Sequence, residues 1–289
     1  MNPLPSGSGP DVVIRLIAEK LTGFFGQQIV VENRPGGGGA IAAQAVASAS
    51  PDCYTILLAV ASIFAVLPAQ KGKIQVDVNQ AFAAVGMVGD GPLYLAVPAK
   101  LGVTSFPEFI ALAKSKPGEI FVGTNSAGSL PHFAGLAVEK KGNIPITVVP
   151  YNQGGTLGAI TDILGGRIHA VIEAMFGLRG HVQSGDLKVI GVMSPERDPD
   201  FPDVPTVAAS IPGFTAIGWL SLAAPTGTPE TAVSRLNEGL RHALEDSTIK
   251  LRLAELGLRP MVRTPAETKA FIESEQSFWW PIVREYESR

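Results

Sequence analysis

One construction recurs three times along the chain, and it constrains the fold more than any other feature. Residues 121–132 read Phe-Val-Gly-Thr-Asn-Ser-Ala-Gly-Ser-Leu-Pro-His and run into a helical apolar period through Phe133, Leu136 and Val138. A short strand ends near Gly123, small and polar residues follow, and Pro131 stands just inside the first helical turn, where proline is accepted. The spacing predicts a strand, a small-residue loop and a helix N-terminus. Such a terminus presents unpaired backbone N–H groups and the positive end of the helix dipole, so it attracts an anion without Lys or Arg. Residues 5–10 (Pro-Ser-Gly-Ser-Gly-Pro) open a helix carrying Val13, Leu16, Ile17 and Leu21, and residues 151–156 (Tyr-Asn-Gln-Gly-Gly-Thr) open one carrying Ile160, Ile163 and Leu164. Three such loops suggest one shared anionic ligand.

Length and composition bound the answer. A chain of 289 residues accommodates two domains at roughly 100 to 200 residues each. With 46% hydrophobic and 17% charged residues it is a globular protein with ample core. A net charge of -3 and no basic run give no reason to expect nucleic acid. The single cysteine, Cys53, excludes an internal disulfide and a Cys-rich metal site, and His132, His169, His181 and His242 show no metal-ligand spacing. No metal or cofactor is expected. The apolar run 54–69 falls short of the roughly 20 residues that span a bilayer, so no direct membrane insertion is expected. The start Met-Asn-Pro has neither n-region nor h-region, which suits a mature, trimmed or never-exported chain.

Strands alternate with helices: a β-branched strand at 28–33, a glycine run at 36–39, an alanine-rich helix at 40–49 and a strand at 54–59. The alternation predicts an α/β protein with parallel sheets covered on both faces. Residues 93–98 and 220–225 echo each other, each a strand stopped by proline before a capped helix, which places chain crossovers near Pro98 and Trp219. One lobe is then 1–97 with 221–289, the other 98–220, and the cleft between lobes is the expected site. Helices at 229–244, 247–256 and 265–286 complete the first lobe, with Phe278, Trp279 and Trp280 packing on it or serving a partner surface.

Several residues invite a chemical reading. Ser8, Ser126, Ser129 and Thr156 are loop hydroxyls, but there is no GxSxG elbow, and His132, in the same first turn as Ser129, reads better as a packing or hydrogen-bonding residue behind the loop. Residues 37–42 fit GxGxxA, yet the following strand lacks the acidic residue of a dinucleotide site, which favours a turn that lets a helix pack closely. Glu173 ends the apolar strand 170–172, either meeting a ligand proton or water or standing as a solvated strand-end carboxylate.

From Val31-Glu32-Asn33-Arg34-Pro35-Gly36 onward the sequence resembles the Bug family of extracytoplasmic solute receptors, the binding proteins of tripartite tricarboxylate transporters. Ordered motifs extend the resemblance over almost the whole chain: Pro51-Asp52-Cys53-Tyr54-Thr55, the run Ser129 to Gly135, Val149-Pro150-Tyr151, Thr161 to Gly166, Pro202 to Val207, and Ala224 to Pro229. The resemblance implies a two-lobed type II periplasmic-binding-protein fold, a periplasmic location and no catalysis. It also implies a monomer that delivers a small organic carboxylate to membrane components of the transporter. Ligand loops match residues 3–11, 125–132 and 151–156. The candidate contacts are Leu4, Ser6, Gly7, Ser8, Ser62, Phe64, Asn125, Ser126, Ser129, His132, Tyr151, Asn152, Gln153, Gly154, Glu173 and Met175. Departures are the short stretch 1–4 where the family has a complete first strand, Cys53 where glycine is usual, the serines at 6 and 8, and Asn152 in place of a frequent lysine.

None of the three loops carries Lys or Arg, so oriented N–H groups, hydroxyls and amides would meet the ligand charge. Leu4, Phe64, Leu130, Met175, Phe176 and Trp219 are either pocket wall or core; as wall they favour a carboxylate with an apolar or aromatic body over citrate. The same clamp presenting its closed form to a sensor is the alternative, and an α/β enzyme using the Gly/Ser loops the weaker one.

Overall fold

The computed structural model describes residues 1–287. From the N-terminus its elements are α1 (Gly9–Phe25), α2 (Ala40–Ala47), β1 (Leu57–Val60), α3 (Val78–Ala81), β2 (Phe82–Pro98) and α4 (Phe106–Ser115). There follow β3 (Ile120–Thr124), α5 (Leu130–Lys141), β4 (Ile146–Pro150), α6 (Gly155–Leu164), β5 (Ala170–Ala174), α7 (Met175–Gln183) and β6 (Leu187–Val192). The chain ends with β7 (Ile217–Pro225), α8 (Glu230–Glu245), α9 (Ser247–Glu255), β8 (Arg259–Pro260) and α10 (Pro265–Glu287).

Contacts divide the chain into two compact units, Met1–Asp90 with Trp219 onward, and Gly91–Gly218. The first division falls inside β2, ahead of the proline that the sequence pointed to. Proline stops the strand, but the strand changes partners earlier: Gly89 and Asp90 pair with β8, while Leu93 to Ala96 pair with β5.

In the first unit β1 runs antiparallel to β7, with Leu57 opposite Ala223 and Val60 opposite Leu220, and β2 joins the same sheet. One face carries α1, α8 and α9. Val13, Ile14, Ile17 and Leu21 form a helical stripe that packs with Leu58, Leu222, Leu240, Leu244 and Leu253. Each fully buried aliphatic side chain contributes about 1.5–3 kcal/mol, which fixes the start of α1 against the sheet. The glycine run serves packing too: Gly39 has φ 104, and a Cβ there would lie 2.6 Å from the Ile63 side chain. The expected strand at 28–33 does not form a ladder. Among the described residues its pairing is one isolated bridge at Asn2, whose N–H donates to the Glu32 carbonyl and whose carbonyl accepts Arg34 N–H, both at 2.8 Å, while Met1 bonds to Ile56 and Leu58 instead; one bridge does not make a ladder.

The second unit holds a mixed sheet in which β3 is parallel to both β4 and β5, while β2 is antiparallel to β5 and β6. The expectation of parallel sheets fails in both units, at β1 with β7 in the first and at β2 in the second, because helix–strand alternation does not fix the direction of strands brought together from distant parts of the chain. The parallel strands still set the site: β3, β4 and β5 each end at a helix start, those of α5, α6 and α7.

Candidate ligand site

Three helix N-termini follow three parallel strands of the second unit. Ser129 caps α5, its Oγ accepting His132 N–H at 3.3 Å, with Pro131 in the first turn. Helix α6 opens at Gly154 (φ 78) and α7 at Ala174, neither with a side-chain cap, so their first amides lack intrahelical acceptors. Gly154 and its neighbour Gly155, φ 49, allow this sharp entry.

Side chains tie these loops together. Asn152 Oδ1 accepts Ala127 N–H at 2.9 Å, and Asn125 Oδ1 accepts Ser126 N–H at 2.7 Å. The Asn125 amide lies 3.4 Å from both Thr156 Oγ1 and Glu173 Oε2. Thr156 Oγ1 and Glu173 Oε2 are 2.5 Å apart, and Glu173 Oε1 accepts Ala174 N–H at 2.9 Å. Glu173 is only 4% exposed, so the solvated reading is wrong: the end of β5 is roofed by α6 and α7. Burial pushes its carboxyl above the usual range, against bonds from Thr156, Ala174 and Asn125 that act the other way.

In the first unit, loop 5–8 leads into α1 around an acid that the sequence reading passed over. Asp11 is 2% exposed and accepts from Asn2 Nδ2 (2.9 Å), Asn33 Nδ2 (2.7 Å), Gly7 N–H (2.9 Å), Ser6 Oγ (3.5 Å) and Arg15 Nε (3.0 Å). Burial pushes this carboxyl up, but Arg15, Asn33, Gly7 and Asn2 outweigh it and hold the group well below the usual carboxylate range. Gly7 N–H is thus spent on an internal anion.

The model of the tripartite tricarboxylate transporter family receptors, TctC, matches residues 13–287. The chain belongs to this family. BugT of Bordetella pertussis is 35% identical over 98% of this chain and 87% of its own length. Among solved structures, an R. palustris protein with adipate superposes with a TM-score of 0.89 at 29% identity, covering 98% of this chain and 94% of its own. MatC from Rhodopseudomonas palustris with bound malate gives 0.86 at 29%, covering 97% and 96%. The TctC chain accordingly has the two-lobed α/β fold of periplasmic binding proteins.

Within this TctC chain the expected contacts fall into groups. Asn125, Ser126, Ser129, His132, Asn152, Gln153, Gly154 and Glu173 gather at the strand ends of the second unit. His132 lies behind the loop, its Nδ1 accepting Gly128 N–H at 3.3 Å and its ring edge-on to Phe133; burial holds its pKa below the ordinary value. Tyr151 belongs to the scaffold: its hydroxyl donates to Asp162 Oδ2 at 2.6 Å, and burial together with that bond raises its pKa to about 12. Met175 is 2% exposed and packs with Tyr94, Ile160 and Leu178, so it is core. Phe64 is core as well, against Phe82 and Trp219, and faces a first-unit cavity of about 600 Å³ among α3, α8 and α10. Ser62 Oγ donates to the Gly38 carbonyl at 2.9 Å, and Leu4 is held by Asn2 and Asn33. Ser6 and Gly7 are exposed around Asp11, while Ser8 Oγ is buried with no hydrogen-bond partner among the described residues. The missed residues are Asp11, Asn33 and Thr156 as a partner of Glu173. Val31-Glu32-Asn33 was visible as a motif, but nothing local joins it to residue 11. Among the described residues no His, Cys, Asp and Glu cluster could hold a metal ion, and no helix is long and apolar enough to cross a membrane.

Proposed function

We propose that this TctC-family chain is a periplasmic receptor that binds a small organic carboxylate without turning it over and hands it to the membrane components of a tripartite tricarboxylate transporter, its two compact units being the two lobes. The observation that carries this reading is the likeness, over nearly the whole chain, to structures holding adipate and malate. The second unit supplies matching chemistry: uncapped helix N-termini, with Ser126 and Thr156 beside them and no Lys or Arg in the loops, suit a carboxylate received by backbone amides.

A thermal-shift screen tests it. A ligand at about 100 times its dissociation constant adds roughly 2.7 kcal/mol to stability. Aliphatic dicarboxylates are expected to raise the melting temperature, and their diamides to leave it unchanged. Stabilisation by the amides to the same degree, or by a nucleotide alone, would overturn the receptor reading.

A further inference from the structure

Glu173 is a buried carboxyl without a counter-ion among the described residues, at the place where a carboxylate ligand is to be received. It is 4% exposed, and among the described residues the groups acting on its charge besides burial are the Thr156 hydroxyl, the Ala174 amide and the Asn125 amide. The charged and titratable groups on the elements packed around it are engaged elsewhere. On α7, Arg179 lies 3.9 Å from Asp200 and His181 3.6 Å from Asp186. On α6, Asp162 holds Tyr151 and Arg167; on α5, His132 takes Gly128 N–H. On β2, Tyr94 stands opposite Glu173 in the ladder and donates to Asp198 at 2.6 Å.

The hydroxyl of Thr156 has one hydrogen to give. If Glu173 is ionised, the 2.5 Å contact takes that hydrogen, leaving Thr156 lone pairs and a second negative charge at the start of α6. If Glu173 is protonated, its Oε2–H donates to Thr156 Oγ1, and the Thr156 hydrogen is released for an acceptor beyond the loop. Oε1 still accepts Ala174 N–H in either state.

We propose that Glu173 keeps its proton in the free and in the ligand-bound protein, donating it to Thr156 Oγ1, so that Thr156 turns its hydrogen toward the ligand carboxylate and each carboxylate is captured together with a protonated Glu173. This rests on the receptor reading above and adds a proton to it. Glu173 is a positioning residue here, acting through Thr156. Burial, which pushes its carboxyl above the ordinary range, acts in the same direction.

The first arm of the test needs no ligand. Infrared difference spectra over a pH titration of the purified protein are expected to show a carboxylic acid that stays protonated above the ordinary glutamate range and is missing in Glu173→Gln. A wild-type spectrum without that carboxyl overturns the proposal. The second arm measures Kd for adipate and for malate by calorimetry from about pH 5 to about pH 10. Wild-type Kd is expected to weaken about tenfold per pH unit once the proton leaves. Glu173→Gln, whose amide donates to Thr156 and sacrifices only the 3.4 Å Asn125 contact, is expected to bind at every pH as the wild type does at low pH. Equal pH slopes in both proteins overturn the coupling, as does loss of binding in Glu173→Gln at an unchanged melting temperature. A proton found on Glu173 with neither dicarboxylate bound at any pH counts against the receptor reading, leaving the assignment of the proton in place.

Discussion

Cys53 sits at φ 66, in the left-handed region where a Cβ crowds the following carbonyl. The preceding Asp52 accepts Tyr54 N–H at 3.0 Å and holds the turn, so the strain has no easy escape. Replacing it with glycine removes a cost of about 1 kcal/mol. Cys53→Gly is therefore expected to raise the denaturant midpoint without changing the slope, and an unchanged or lowered midpoint would show the turn to be relaxed. Asp11 is the opposite case, a buried charge that gathers several donors, of which Asn33 Nδ2 also serves the Leu4 carbonyl and Arg15 also reaches Asn33 Oδ1. Asp11→Ala takes this acceptor from Asn2, Asn33 and Gly7 N–H and is expected to cost about 3 kcal/mol in equilibrium unfolding. A loss below about 1 kcal/mol would mean that water or loop 5–8 takes over these bonds.

At the scale of elements, local chemistry carried most of what could be read. Pro131 marks the start of α5, and the structure begins the helix there, with Ser129 as its cap. Ser129→Ala is expected to lose about 1 kcal/mol and to loosen residues 126–129, which hydrogen exchange of the Gly128 and His132 amides would report. Unchanged exchange would assign the cap's role to Asn152 and its bond to Ala127. The turns into α5 and α6 were legible because each is a contiguous run of small or polar residues, whereas α7 follows β5 directly at Ala174 with no such run to mark it. Segment 28–33 is not the strand its sequence suggests, because β-branched residues report a tendency, whereas a ladder needs a neighbour along several residues, and among the described residues the bridge here is at Asn2 alone. Glu173 and Thr156 lie 17 residues apart, and their contact exists only because β5 and α6 pack side by side. The burial of Met175 and Phe64, likewise, depends on partners distant in sequence, Tyr94 and Ile160 for the one and Phe82 and Trp219 for the other.

At the scale of the whole molecule, buried acids of opposite tendency set the pH range of stability. Asp11 has its pKa lowered in the folded state, so it stabilises above the unfolded value of about 4, and that stabilisation is lost as pH falls toward the folded one. Burial lowers His132 as well, favouring its neutral form; this contribution is present above about 6.5 and fades as pH falls through the folded value. Three acids run the other way. Burial raises Glu173; it raises Asp90 against the pull of Arg259 and Arg263; and it raises Glu275, which Trp219 and Trp279 lower through hydrogen bonds and Asp90 raises further. A raised acid stabilises fully below about 4 and loses that contribution as pH rises through its folded value, so these three oppose folding on the alkaline side. The melting temperature is accordingly expected to pass through a maximum, with an acid limb to which Asp11 and His132 contribute and an alkaline limb to which Glu173, Asp90 and Glu275 contribute. Calorimetry across pH with two variants separates the limbs. Glu173→Gln has no proton to lose and should flatten the alkaline limb while following the wild type in acid. Asp11→Asn should melt below the wild type at neutral pH and converge on it as acid removes the charge that the wild type depends on. Parallel curves for the wild type and Glu173→Gln from neutral to alkaline pH would show that Glu173 is ionised throughout, and would remove its proton from both the stability argument and the binding argument.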